Sequence, residues 1–125
     1  MTADFASAFA ALKNILEGCS SRMAVTDDTP AVYSLTSRKP SRYPQHKGQP
    51  MWFGSVRLGK AYVSFHLMPL YMNPPLLRAV SGNLRSRMQG KTCFNFKAAP
   101  DPELLKDLRR LVEAAMNDWA AKKYV

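Results

Sequence analysis

Acidic side chains are missing from the middle of this sequence. No Asp or Glu occurs from Thr29 to Pro100, whereas eleven Lys or Arg lie between Arg38 and Lys97. All nine carboxylates fall in the two terminal segments, and in the last 25 residues they balance the basic side chains. The net charge of +9 is therefore concentrated in the centre of the chain. Such a region attracts phosphates, nucleic acid or an acidic protein surface. The same gap excludes paired carboxylates for acid–base catalysis anywhere but in the terminal segments.

Cysteine and long apolar runs are scarce too. Cys19 and Cys93 are far apart and belong to no CxxC motif or Cys/His cluster, so they read as small core or surface residues of a reducing compartment. No run approaches the roughly 20 apolar residues that cross a bilayer. The N-terminus "MTADFASAFAALKNIL" has no basic leader region and carries Asp4, which argues against a signal peptide. These features predict a cytoplasmic protein with no membrane association. A chain of 125 residues, 46% of them hydrophobic, is enough for one domain spanning 1–125 without disulfides or metal.

Apolar periodicity predicts two long helices. In the first, Phe5, Ala8, Phe9, Leu12, Leu16 and Cys19 recur at spacings of three and four, with Thr2 as N-cap. In the last, Asp101 caps, Pro102 opens the first turn, and Leu104, Leu108, Leu111, Ala115 and Trp119 form the stripe. Residues 22–30 read as a polar connection, 32–36 as a short strand, and 37–50 as a basic, proline-rich loop or arm with little to bury. Residues 73–88 read as helical turns and "KTCFNFK" as a final strand.

The clearest local pattern is "MWFGSVRLGKAYVSFHLM", residues 51–68. A two-residue turn at Gly59-Lys60 places Leu58 opposite Ala61, Val56 opposite Val63, Gly54 opposite Phe65, and Trp52 opposite Leu67. Those eight form an apolar face. Phe53, Ser55, Arg57, Tyr62, Ser64 and His66 form the wet one. The order of elements predicts an α+β, two-layer sandwich, its antiparallel sheet carrying the N- and C-terminal helices on one face.

Chemical motifs are few. Gly90-Lys91-Thr92 ends like a phosphate-binding loop, but bulky Arg85 occupies the first glycine position and a strand, not a helix, follows. His46 and His66 have no ligand-spaced partners, so no metal site is expected. Cys93 has no base and orienting group beside it in the sequence. No catalytic residue, cofactor or metal ligand is therefore assigned, and the pattern leans away from an enzyme. Aromatics interleave with the basic residues (Tyr43, Trp52, Phe53, Tyr62, Tyr71, Phe94), as in single-strand nucleic-acid binders. With no RNP, KH or helix-turn-helix pattern, nucleic acid remains a secondary expectation.

The segments "YVSFHLMPLYMNPPLL" and "LRSRMQGKTCFNFK", followed by an acid-capped helix, resemble the bacterial YdhG-like family of unknown function. The resemblance covers roughly residues 50 to 120. It implies a frataxin-like fold, and for some members of the wider family an iron-chaperone role. That role uses acidic surface ligands, which the sheet region here lacks. The primary expectation is a small non-catalytic binding module for an anionic ligand or an acidic protein partner. Its candidate residues are Arg57, Tyr62, Ser64 and His66 on the sheet, with Arg85, Arg87 and Lys91 beside it. Iron delivery is the alternative, and an exposed sheet face or edge also invites homodimerisation.

Overall fold

The computed structural model describes residues 3–90 and 92–125. Thr2 and Lys91 lie outside them. Helix α1 (Ala3–Glu17) buries Ala8, Phe9, Leu12 and Leu16 of the expected stripe together with Ile15, while Phe5 is partly buried and Cys19, also partly buried, lies beyond the helix end. Helix α4 (Pro102–Ala121) begins where Asp101 accepts a hydrogen bond from the Leu104 amide at 2.9 Å, and buries seven residues from Leu104 to Trp119. Between them lie strands β1 (Ala24–Asp28), β2 (Val32–Pro40), β3 (Pro50–Leu58) and β4 (Val63–Leu67), short helices α2 (Met68–Met72) and α3 (Gly82–Arg85), and strands β5 (Met88–Gln89) and β6 (Cys93–Phe96).

The six strands make one antiparallel sheet in the order β1-β2-β3-β4-β6-β5. Tyr33, Leu35, Phe53, Val56, Val63, Phe65, Leu67, Phe94 and Phe96 join the buried residues of α1 and α4 in one core. Phe53 meets Trp119 edge-to-face at 5.2 Å. The helices touch each other, with Arg109 donating to Asn14 Oδ1 at 3.2 Å. The result is α+β, with both terminal helices on one sheet face.

Several expectations need correction. Strand β1 lies in the segment read as a polar connection. Four of its five residues are exposed, so side-chain alternation could not reveal it; pairing of its backbone with β2 makes it a strand. The loop assigned to 37–50 is narrower, because β2 continues to Pro40, which lies opposite Pro50. Its tip is tied down as well: Ser41 Oγ lies 2.6 Å from His46 Nδ1, and the Tyr43 and Tyr124 hydroxyls are hydrogen-bonded.

The hairpin also differs. Leu58 pairs with Val63, Val56 with Phe65 and Gly54 with Leu67, so the turn has four residues and exposed Ala61 belongs to it. This slip of two residues preserves the facing of β4, because side chains alternate with period two. A second irregularity does not. Leu35 pairs with Gly54 but Thr36 with Trp52, leaving Phe53 as an extra residue in β3. The bulge reverses the alternation. Phe53 is fully buried, not wet, and Trp52 turns to the other face, where its ring lies 6.0 Å from that of His66.

Candidate functional site: the open sheet face and its aromatic groove

The face opposite the helices is organised in cross-strand rows. One row reads Asp27, Ser34, Ser55, His66, Cys93 and Gln89 from β1 to β5. The next reads Val32, Arg57, Ser64 and Asn95. Directly paired residues present their side chains on the same face, so Arg57, Ser64 and His66 come together as expected. Ser34, Ser55 and Ser64 are each less than a tenth exposed. Their short side chains lie below taller neighbours such as Trp52, His66 and Arg57. Asp27, two strands from Arg57, is the carboxylate that the register brings to this face.

The other candidates disperse. Tyr62 lies in the turn before β4, exposed, its carbonyl accepting from the Gly59 amide at 3.0 Å. Arg85 donates to the Leu77 carbonyl at 3.0 Å. Arg87 stacks over the Phe96 ring, 5.7 Å from its centroid. Its carbonyl accepts from the Asn95 amide at 2.9 Å, so its main chain lies at the end of the Arg57 row while its guanidinium is taken up by the Phe96 ring.

Sequence reasoning missed two features. The first is a thiol–imidazole pair: β4–β6 pairing brings Cys93 Sγ to 3.7 Å from His66 Nε2, and the thiol also donates to Asn95 Oδ1 at 3.3 Å. Burial pushes the Cys93 thiol up from its ordinary value. Burial first, and then the nearby Arg57 charge, pushes His66 down. Both groups are thus held neutral at neutral pH, which opposes the thiolate–imidazolium pair that nucleophilic catalysis requires. Among the described residues no group of three or more His, Cys, Asp or Glu could hold a metal ion.

The second feature is a groove of about 630 Å³, lined by aromatic and methionine side chains including Tyr43, Met51, Trp52, Met68, Tyr71 and Met72. The loop tip, the start of β3 and α2 build it. Tyr71 is 63% exposed at its edge. The aromatics interleaved with the basic span were the available signal, but placing Trp52 in the core concealed the groove. Trp52 belongs to both features, as a groove wall and as the neighbour of His66. On the far side of Tyr43 a notch of about 570 Å³ is lined by Arg42, Lys122 and Lys123.

Comparison with protein-family models, curated proteins and solved structures gives no significant match. Among the described residues no helix is long and apolar enough to cross a membrane.

Proposed function

We propose that this chain is a small non-catalytic binding module whose open sheet face receives an anionic group, carried by a ligand or an acidic protein partner. The observation that carries this reading is the setting of Arg57. It is exposed on the face the helices leave uncovered, and its row of Val32, Ser64 and Asn95 contains no carboxylate. It belongs to the acid-free span that carries eleven Lys or Arg, an excess of positive charge that attracts anions. Ser64 adds a hydroxyl and Asn95 an amide able to hydrogen-bond an oxyanion.

The test is a titration of isotopically labelled protein with inorganic phosphate and with an aspartate-rich peptide. Shifts centred on Arg57, Ser64, His66 and Asn95, reduced by added salt and lost in Arg57→Ala, are expected. Shifts scattered over the surface, or unchanged by Arg57→Ala, would remove the proposal. For a polyanion such as duplex DNA or heparin, affinity should fall steeply with salt, roughly −0.9 in log–log slope per phosphate contact on DNA.

The helix–sheet–helix order, with both terminal helices on one face, supports the YdhG-like and frataxin-like reading drawn from "RMQGKTCFNFK". Iron delivery has less to rest on. Asp28 is engaged by Lys13 at 3.0 Å and Asp118 by Lys122 at 3.0 Å. Calorimetric titration with ferrous iron decides it, and no heat at micromolar protein would end that reading.

A further inference from the structure

We infer that the aromatic groove and the open face form one composite site for an extended acidic segment of a partner protein. The segment would place an apolar anchor in the groove and a carboxylate, four or five residues along, on Arg57. This inference rests on the anionic-partner reading above and names the class of partner.

Continuity is the first reason. Trp52 is a wall of the groove and also lies 6.0 Å from His66 on the open face. From Trp52 the face runs along β3 past Ser55 to Arg57. Five residues at about 3.3 Å each, shortened by the bulge, give a span of roughly 15 Å, which four or five residues of extended peptide match.

Shape is the second reason. Ser34, Ser55 and Ser64 are the short, nearly buried side chains between Trp52, His66 and Arg57. Short side chains between the groove and Arg57 put no bulky group in the path of an extended backbone, which reaches both ends where a compact anion would contact only one. The groove has the volume of a small-ligand pocket, ample for one or two side chains. Its methionines are flexible and polarisable, suited to apolar anchors of varied shape.

Charge selects the occupant. Three aromatic rings could also box a cationic ligand, but among the described residues no carboxylate lines this groove. It sits within the acid-free span, flanked in sequence by exposed Arg42 and Lys47. That excess of positive charge favours an acidic segment over a cation, and Asp27, beside Ser34, stands at the β1 end of the face, two strands from Arg57.

The test uses capped eight-residue peptides of serine and glycine. The first carries a leucine and, four and five positions on, two aspartates. The second has glycine for the leucine, and the third has asparagines for the aspartates. Tryptophan emission reports binding, because Trp119 is fully buried and Trp52 lines the groove. The first peptide should shift the emission and bind about tenfold more tightly than either of the others. Tyr71→Ser should weaken the first peptide about tenfold and leave the second unchanged, whereas Arg57→Ala should weaken both. Both side chains are exposed, and circular dichroism checks that each variant folds.

Equal binding of the first and second peptides, or indifference to Tyr71→Ser, overturns the groove inference and leaves the anion reading standing. Equal binding of the first and third, unaffected by Arg57→Ala, overturns the anion reading and the composite site with it. No binding of any peptide at millimolar concentration also overturns the composite site, while the phosphate titration independently decides the anion reading.

Discussion

A methyl group added at Gly54 would test the strand pairing that builds the open face. An alanine Cβ there would lie 2.6 Å from the His66 carbonyl oxygen and 3.2 Å from Leu67 Cδ2. The leucine end can rotate away, but the carbonyl belongs to the main chain of β4. At 2.6 Å the contact is 0.8 Å short of ordinary van der Waals separation, so β3 and β4 would have to part locally. Where the backbone fits, Gly→Ala stabilises a protein by about 0.4–1 kcal/mol through the unfolded state. Here overpacking should reverse the sign and cost about 2–3 kcal/mol. With an unfolding entropy near 2.1 cal/mol/K per residue over 125 residues, Tm should fall by roughly 8 to 11 °C.

Urea denaturation followed by circular dichroism, together with calorimetric Tm, measures this loss. Gly82→Ala is the control: Gly82 is exposed in the first turn of α3, and an added Cβ meets nothing within 4 Å. That variant should stay within about 0.5 kcal/mol of the parent. The His66 imidazole resonances should also move in Gly54→Ala, because the clash falls on the main chain of His66. A Gly54→Ala protein as stable as its parent, with His66 unmoved, would refute the pairing of Gly54 with Leu67.

Three further outcomes follow from the same geometry. Phe53→Ala should cost about 3–5 kcal/mol in urea denaturation, because the ring is fully buried against Trp119; a negligible loss would contradict the bulge. His66 is held below the ordinary imidazole value of 6.5, chiefly by burial. As pH falls, the unfolded chain therefore takes up the proton first. This contribution to stability is intact above about pH 6.5, declines towards the lower folded pKa and then levels off. Proton NMR and Tm against pH check it, and a His66 titrating at or above 6.5 would contradict it. Asp101→Ala should cost about 1 kcal/mol in chemical denaturation by removing the cap on the Leu104 amide, and Asp101→Asn should retain most of that stability.

Much of this architecture is legible in local patterns. The stripes of α1 and α4, the Asp101 cap and the alternation of β4 and β6 each depend on a few neighbouring residues and on one buried surface. Helical and strand periods convert those choices directly into faces. The acid-free centre was equally plain, since charge distribution along a chain needs no structure to be counted. These features by themselves determined the α+β class, the pair of long helices and the electropositive character of the sheet region.

Tertiary structure decided the rest, because the deciding contacts join residues distant in sequence. Strand β1 exists through its ladder with β2. The extra residue Phe53 is defined only against Leu35 and Thr36 of the neighbouring strand. That single bulge exchanges Phe53 and Trp52 between the core and the open face. It carries Trp52 towards His66 and into the groove with Tyr43 and Tyr71. Likewise, Cys93 meets His66 only through the β4–β6 register. A hydrophobic pattern specifies which residues want burial, while backbone hydrogen bonds between strands fix which of two adjacent aromatics obtains it.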